Sequence, residues 1–306
     1  MNIFSKIFRK IKKKIYISRS KKIAKLLSKI LGTEKINIVD LGAGHRFLPT
    51  LLNFDGVSNI AMVDPNSNLD LSYKNFIKNL DYPKNVTKFS FGISDRTEKI
   101  KYFKTKISTG STMVDIYKNA KKNKIKLDKK YFGEKNLSFI QTYSYNNFKS
   151  IFFNKTPDIV KIDVEGFEVQ VLMSLLKKNS PTIIEIEVNI NHPLYTNTFT
   201  KINNLLTRKK YKMSTGFMVY RNHLKNISTN NPYTFGDYEN PKFRSPSEQM
   251  DCIYINENIK SEKAICMMIG YGLQAEAKKL FDKISNKIPK KRFEILNAFF
   301  KQAYKL

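Results

Sequence analysis

Acidic side chains stand where apolar segments of this chain end. Asp163 and Glu165 directly follow the apolar run that begins after Asp158, and Gly166 then lets the backbone turn sharply before a helical pattern begins. In an open parallel sheet, ligands bind at the carboxyl ends of the strands, where such turns lie. A carboxylate at that edge can hold a ligand or accept a proton. Asp163 and Glu165 are therefore candidate site residues.

A second candidate site lies upstream, in the segment Asn37–Gly44. A short apolar strand there runs into a turn with Gly42 and Gly44, and glycine lets the backbone approach a ligand closely. Asp64 ends the next apolar strand about twenty residues later, the spacing at which a carboxylate meets ribose hydroxyls in a nucleotide-binding βαβ unit. The pattern predicts nucleotide binding, and the alternative is a tight turn followed by a solvated aspartate.

Six segments occur in the order seen in the FkbM-type methyltransferases, which the chain resembles from about Lys35 to Asn256. They are VDLGAG, AMVDPN, FGISDRTEKIKYF, TGSTMVD, DIVKIDVEGFEVQVLMSLL and PTIIEIEVN. Gly44-His45-Arg46 stands where that family usually has Asn and a further Gly. The resemblance implies S-adenosyl-L-methionine as the cofactor and a hydroxyl, often on a sugar or natural product, as the methyl acceptor.

The resemblance also implies roles for the residues that would hold the cofactor. Asp64 would accept hydrogen bonds from both ribose hydroxyls, and Gly42 and Gly44 would leave room for the ligand. Asp40 would steady the turn or face the methionine ammonium. Ser94 and Asp95, which follow the third predicted strand, would contact the adenine edge; the alternative for them is an ordinary hairpin turn.

Methyl transfer to an aliphatic hydroxyl requires a positioned base or a metal, because the hydroxyl must lose its proton. Asp163 and Glu165 would lie beside the methyl group, and Glu187 resembles the acid that ends the family's fifth strand. Glu185 lies on the same strand face as Glu187, but the EVN segment favours Glu187. Lys161 alternates onto the face of Asp163, and we expect it to hold a carboxylate in place, since an unpaired buried lysine is costly.

Histidine, cysteine and metal chemistry are weaker alternatives. The chain has three histidines, His45, His192 and His223, and the first two are alternative bases. No histidine or cysteine cluster has zinc spacing. A magnesium site built from Asp163, Glu187 and Asn189 is conceivable, but the sequence predicts no resident metal.

Alternating strand and helix patterns predict an α/β fold. The expected architecture is that of a class I methyltransferase (Rossmann-like), a mostly parallel sheet with helices on both faces, plus N- and C-terminal helical extensions. The predicted strands are Asn37–Leu41, Ile60–Val63, Thr87–Ile93, Ile100–Phe103, Ser138–Gln141, Asp158–Val164, Thr182–Val188, Tyr211–Tyr220 and Met250–Asn256. The predicted helices are Leu69–Leu80, Met113–Lys122, Phe167–Leu176, Ala264–Met268, Ala275–Ile284 and Phe293–Tyr304.

We divide the chain into three parts. Residues 1–33 form a basic amphipathic helical arm, residues 34–256 the S-adenosylmethionine-dependent methyltransferase domain, and residues 257–306 a C-terminal helical extension. The segment Arg221–Gln249 is rich in Asn, Pro, Tyr and Ser, which predicts a loop that covers the acceptor site.

The chain has 306 residues and a net charge of +29, with Lys and Arg far in excess of Asp and Glu. Residues 1–31 contain eleven Lys or Arg and no acid, and their apolar residues recur at helical spacing, which is typical of a helix on an anionic membrane. An AT-rich genome would also favour lysine, and a packed arm would show the same spacing. No apolar stretch is long enough to span a membrane. The two cysteines indicate a reducing compartment.

These observations lead to one main prediction and two alternatives. The main prediction is an O-methyltransferase for a saccharide or glycan, in the cytoplasm and peripheral on the inner face of the membrane through residues 1–31. The first alternative, favoured by the basic charge, is an RNA 2′-O-methyltransferase, in which Lys161, Asp163 and Glu187 would act together. The second is a catalytically silent methyltransferase fold that serves as a binding module.

Overall fold

The computed structural model of the chain describes residues 21–32, 34–43, 57–65, 85–104, 111–124, 136–152, 156–189, 199–220, 223–226 and 249–303. Several predicted features lie outside these ranges. They are Gly44, His45, His192, the predicted helix Leu69–Leu80, the first amphipathic stretch of the basic arm and most of the predicted loop Arg221–Gln249. The described part of that loop contains a strand, His223–Asn226, which the sequence did not predict.

The main sheet has eight strands, which lie side by side in the order β10 His223–Asn226, β9 Tyr211–Tyr220, β11 Gln249–Asn256, β8 Ile183–Asn189, β7 Ile159–Ile162, β1 Ile36–Leu41, β2 Val57–Val63 and β3 Asn85–Phe89. In this order, the strands β8, β7, β1, β2 and β3 pair in parallel, whereas β11 is antiparallel to both β8 and β9. The predicted fold class, a mostly parallel sheet between helices, is confirmed.

Alternating strand residues divide the core into two layers, one on each face of this sheet. One face carries α3 Tyr145–Phe152, α4 Glu168–Leu175 and α5 Phe199–Arg208, which pack against residues such as Val39 and Ile162. The other face, with Ile38 and Ile159, packs against helices from both ends of the chain. These helices are α1 (residues 21–31), α6 Glu262–Gly270, α7 Gln274–Ile284 and α8 Lys290–Ala303, with a short 3₁₀ turn at Ser285–Lys287.

The helices before residue 34 and after residue 256 thus contribute to the core on one face of the main sheet. In α1, Ala24, Leu27 and Ile30 are completely buried against this layer. Lys21, Lys22, Lys25 and Lys29 remain on the exposed side of the same helix. The apolar face of the second amphipathic stretch therefore packs on the sheet, which was the alternative to a membrane-lying helix.

A second, three-stranded sheet, in the order β4-β6-β5, stands beside the first. It consists of β4 Gly92–Ser94, β5 Glu98–Lys104 and β6 Asn136–Ser144, and α2 Ile116–Lys122 follows β5. The prediction of one continuous strand at Thr87–Ile93 is therefore wrong, because the chain leaves the main sheet after Phe89 and enters the second sheet at Gly92. An aromatic cluster of Phe89, Phe91 and Phe148 packs at this transition.

The other predicted elements in the described ranges are present with shifted ends. The strand predicted at Asp158–Val164 is shorter, since Asp163 and Val164 already lie in the turn. The helix predicted at Met113–Lys122 begins at Ile116, where the Asp115 side chain accepts a hydrogen bond from the backbone N–H of Lys118. None of the described helices is both long and apolar enough to cross a bilayer.

Candidate active site

The carboxyl ends of β1, β2 and β7 meet at one edge of the main sheet. The backbone N–H of Gly42 donates to the carbonyl of Val63 at 2.8 Å, and that of Asp163 donates to Leu41 at 2.8 Å. The backbone N–H of Asp64 donates to Phe89 at 3.0 Å. These bonds continue the strand ladders into the turns, so that Asp64 and Asp163 stand at the same edge as Gly42.

Gly42 has a packing role that the sequence did not reveal. Its φ is +78°, in the left-handed region that favours glycine, and a Cβ at this position would collide with the backbone carbonyl of Asp163. The space beside Gly42 is therefore taken up by the β7 turn. The predicted role of Gly42 in leaving room for the cofactor stays a prediction, as does that of Gly44.

Three carboxylates gather at this edge. Oxygen atoms of Asp163, Glu165 and Glu187 all lie within 4.8 Å of one another, and each side chain is partly exposed. Asp251 lies opposite Glu187 in the register of β8 and β11. Such a cluster can share a proton or hold a cation, and the predicted absence of a metal stays a prediction.

The surroundings of Glu187 disfavour its ionisation. Burial raises the pKa of Glu187 well above its ordinary value, and the charges of Asp163 and Glu165 raise it further. An acid with a raised pKa is a better proton acceptor once it is ionised. Glu185, two positions earlier on β8, instead accepts a hydrogen bond from the hydroxyl of Tyr271.

Lys161 lies at the bottom of the site and pairs with carboxylates, as the sequence predicted. Its Nζ lies 3.1 Å from Oδ2 of Asp163 and 3.5 Å from Oδ1 of Asp40, and its side chain is largely buried. Burial alone would lower the pKa of Lys161, but the charges of Asp163 and Asp40 outweigh that effect and hold the pKa well above its ordinary value. The sequence predicted that Lys161 pairs with a carboxylate, and the structure identifies two of them, Asp163 and, on the neighbouring strand β1, Asp40.

Asp40 is completely buried beneath Lys161. Burial raises the pKa of Asp40 to about 7, although the charge of Lys161 opposes that rise. The described part of the chain offers neither of its carboxylate oxygens a hydrogen bond of good geometry. This position suits the predicted role of steadying the turn, and a contact with the methionine ammonium stays a prediction.

Glu165 is held in an unusual backbone conformation by the segment after β5. Its φ is +49°, which is uncommon for a residue other than glycine. The buried hydroxyl of Thr112 donates to the backbone carbonyl of Glu165, and Thr112 itself is bridged to Phe103 of β5 by two backbone hydrogen bonds. The second sheet therefore fixes the turn that presents Glu165.

Tyr102 on β5 links the two halves of the site. Burial raises the pKa of Tyr102, and the charges of Asp64 and of Glu165 both add to this rise. It also has a hydrogen bond with Ser111. The charges of Asp64 and of Glu165 thus both act on one buried phenol.

Ser94 and Asp95 lie at the end of β4, in the second sheet. Because the predicted third strand is divided, Ser94 does not follow a strand of the main sheet, and it pairs with Ser144 of β6 instead. The Ser94 hydroxyl donates to Oδ1 of Asp95 at 3.0 Å, and Arg96 lies 3.5 Å from the same carboxylate. Their contact with adenine stays a prediction.

Sequence reasoning missed several residues of this site, namely Tyr102, Thr112, Glu168 and Asp251. Thr112 belongs to the TGSTMVD segment, which was quoted only as part of a resemblance. Glu168 is buried and accepts a hydrogen bond from the backbone N–H of Gly166 at 2.8 Å, which stabilises the same turn. Asp251 carried a signal, since it is an acid within an apolar strand.

Comparison with known proteins supports a methyltransferase. The model of the methyltransferase FkbM domain matches residues 56–213. No curated protein matches the chain. Among solved structures, magnesium protoporphyrin IX methyltransferase from Synechocystis PCC 6803 with bound SAM is similar, with 9% identity over 78% of this chain and 79% of that chain and a TM-score of 0.35.

Two further solved structures have similarly low sequence identities and TM-scores. The StiE O-MT structure has 10% identity, covers 83% of this chain and 79% of that chain, and has a TM-score of 0.36. The methyltransferase domain of bacterial CtHen1-C has 12% identity over 78% of this chain and 97% of that chain, with a TM-score of 0.32. At these low scores the likenesses carry no argument about substrate.

Proposed function

The chain belongs to the FkbM family of methyltransferases and uses S-adenosylmethionine, and we propose that it methylates a hydroxyl of a saccharide or glycan. The observation that carries this proposal is the cluster of Asp163, Glu165 and Glu187 at the carboxyl edge of the sheet. A hydroxyl acceptor needs a nearby base, and this cluster supplies one.

The residues present suit the cofactor. Asp64 ends β2 at the same edge as the carboxylate cluster, and a carboxylate there can accept hydrogen bonds from both hydroxyls of a ribose. S-adenosylmethionine, when bound, supplies the methyl group as an electrophile on a sulfonium. We place its ribose at Asp64, with the reactive end toward Asp163 and Glu187.

Within this arrangement Glu187 is the general base. With the methyl group supplied in this way, the Glu187 carboxylate would accept the proton that the acceptor hydroxyl loses. Asp163 is held by Lys161 and fixes the orientation of the acceptor, and much of the rate comes from this alignment. Glu165 completes the cluster from its constrained turn.

A saccharide suits this site better than RNA does. Asp163, Glu165 and Glu187 would repel the phosphates of a polyanion, whereas the hydroxyls of a sugar can donate hydrogen bonds to them. Lys161 is paired with two carboxylates, which leaves it poorly placed to bind a phosphate. RNA binding would also weaken steeply with added salt, which a neutral sugar would not show.

We also propose that the protein works in the cytoplasm, peripheral on the inner face of a membrane. Support comes from the exposed lysines Lys21, Lys22, Lys25 and Lys29 of α1, which can attract anionic lipids while the apolar side of the helix stays in the core. An acceptor that is linked to a lipid would be presented at that surface.

The test of the proposed reaction is methyl transfer from radiolabelled S-adenosylmethionine to a panel of saccharides and lipid-linked glycans. Glu187→Gln should lower the rate by about 100-fold or more while binding of S-adenosylhomocysteine is unchanged. Glu257→Gln removes an exposed acid in the turn after β11 and is the control. We expect transfer to survive EDTA; loss that magnesium restores would assign the carboxylate cluster to a cation instead. Transfer to RNA alone would contradict the saccharide proposal, and the absence of both transfer and cofactor binding would favour the silent module.

A further inference from the structure

A tyrosine from the C-terminal helices contacts the polar network beneath the active site. Tyr271 directly follows α6 and is only 3% exposed, and its hydroxyl donates to Oε2 of Glu185 at 3.0 Å. Tyr271 lies well beyond the part of the chain that the family model matches, residues 56–213. This contact therefore joins the segment after residue 256 to the catalytic sheet.

The backbone at Tyr271 is fixed on both sides. Its N–H donates to the carbonyl of Met267 at 2.9 Å, and the N–H of Leu273 donates to Met268 at 2.8 Å. Gly272 adopts a φ of +76°, as a glycine that ends a helix commonly does. Since α6 is buried along most of its length against the sheet, the tyrosine ring has little freedom to move away from Glu185.

Glu185 lies opposite Lys161 in the register of β7 and β8. Burial raises the pKa of Glu185, whereas the charge of Lys161 and the hydrogen bond from Tyr271 both oppose that rise. The hydroxyl of Tyr271 therefore favours the ionised form of Glu185. An ionised Glu185 is a third negative charge around Lys161, beside Asp40 and Asp163.

The position of Lys161 depends on the balance of these charges. Its ammonium lies 3.1 Å from Asp163, on the active-site side, and 3.5 Å from Asp40, below it. Glu185 approaches from the strand on the other side. Without the charge of Glu185, the ammonium would keep its contacts with Asp40 and Asp163 and the weaker influence of the charge of Asp251.

We propose that Tyr271 is a positioning residue that acts through Glu185 and Lys161 to orient the carboxylate of Asp163 toward the reacting methyl group. This inference rests on the proposed function, since it assumes that Asp163 faces the reactive end of the cofactor. The hydroxyl of Tyr271 contacts Glu185 and acts on Asp163 through that side chain and Lys161.

The test uses two cofactor analogues and needs no acceptor. S-adenosylhomocysteine lacks the methyl group, whereas sinefungin carries a charged amine near the place of the methyl-bearing sulfonium, where Asp163 and Glu187 can pair with it. The ratio of the two affinities, measured by calorimetry, therefore reports how well the carboxylates of Asp163 and Glu187 are oriented toward the place of the methyl-bearing sulfonium. Wild type should bind sinefungin more tightly, and Tyr271→Phe should lower that preference by about tenfold, the effect of one hydrogen bond to a charged group, with S-adenosylhomocysteine affinity unchanged.

Two further variants separate the hydrogen bond from the charge and from general packing. Glu185→Gln keeps a hydrogen-bond acceptor for Tyr271 but removes the charge, and it should lose the preference as well. Tyr254→Phe removes another completely buried hydroxyl, which donates to Asn203 on the opposite face of the sheet, and it should keep the preference.

A preference retained in both Tyr271→Phe and Glu185→Gln would overturn the inference. An equal loss in Tyr254→Phe would also overturn it, since the effect would then come from general loosening of the core. Failure of the proposed function has a different result, in which wild type binds neither analogue.

Discussion

The backbone carbonyl of Asp163 lies against the α-carbon of Gly42, in the space that any larger residue at position 42 would need. The two residues end adjacent strands, β1 and β7, and the N–H of Asp163 donates to Leu41 beside this contact. The turn after β1, which contains Gly42, and the turn after β7, which contains Asp163, are thus packed directly on each other. Substitution at position 42 is consequently expected to damage the fold and the site together.

Gly42→Ala should lower the free energy of unfolding by more than about 2 kcal/mol, because it adds both a backbone collision and a left-handed strain. The control is Gly32→Ala, at the end of α1, where φ is +58° but nothing lies within 4 Å of the added methyl group. That variant should lose only about 1 kcal/mol, from the strain alone. Urea unfolding measures both, and equal losses would show that the collision is relieved at little cost.

Much of the sheet could be predicted because it depends on local pattern. Apolar runs that end in an acid, such as those before Asp64 and Asp163, indicate parallel strands whose ends meet. The second sheet was missed as a unit, because β4 follows β3 with a break of only two residues, Ser90 and Phe91, that carry no turn signal. The prediction of the site was incomplete for a related reason. Thr112 contacts Glu165 and Tyr271 contacts Glu185, and no local pattern encodes contacts between residues so distant in sequence.

Thr112→Val should lower the free energy of unfolding by about 1–2 kcal/mol, because it removes the hydrogen bond from the Thr112 hydroxyl to the carbonyl of Glu165. Thr112→Ser keeps the hydroxyl and should lose less. The preference for sinefungin should fall in the valine variant and persist in the serine variant, as Glu165 is presented by this contact. If both variants keep the preference, Thr112 does not position the acid.

Asp40 should make the stability of the protein depend on pH. Its pKa is raised from 3.8 to about 7 on folding, so the protonated form favours the fold. The resulting stabilisation is complete below 3.8 and is lost as the pH rises through about 7. Asp40→Asn imitates the protonated form and cannot ionise.

We therefore expect Asp40→Asn to gain stability relative to wild type, by about 2 kcal/mol or more, between about pH 4 and about pH 8. Asp282→Asn, an exposed position on α7, should follow the wild-type dependence. Chemical unfolding at a series of pH values measures the difference. A wild-type stability that falls no faster than that of Asp40→Asn over this range would refute the shift.

The lysines on α1 should bind anionic membranes in a way that other lysines do not. Changing Lys21, Lys22, Lys25 and Lys29 to glutamine should weaken binding to vesicles of phosphatidylglycerol and phosphatidylcholine by about tenfold or more, since each lysine near such a surface contributes about 1 kcal/mol. The matched control changes Lys118, Lys121, Lys122 and Lys124, four exposed lysines of α2 and the turn that follows it.

Sedimentation with vesicles at physiological salt compares the two sets. A larger loss for the α1 set would assign the membrane contact to the N-terminal arm. An equal loss would mean that the charge of +29 acts without a preferred surface, as expected if it reflects only genome composition.

The central claim is that the cofactor binds along the carboxyl edge of the main sheet, with its ribose at Asp64. Calorimetry with S-adenosylhomocysteine tests this most directly, using wild type, Asp64→Ala and the exposed control Asp282→Asn. We predict that wild type and the control bind alike and that Asp64→Ala loses at least about 100-fold in affinity, because two hydrogen bonds to a charged group are removed. Undiminished affinity in a folded Asp64→Ala protein would contradict the account.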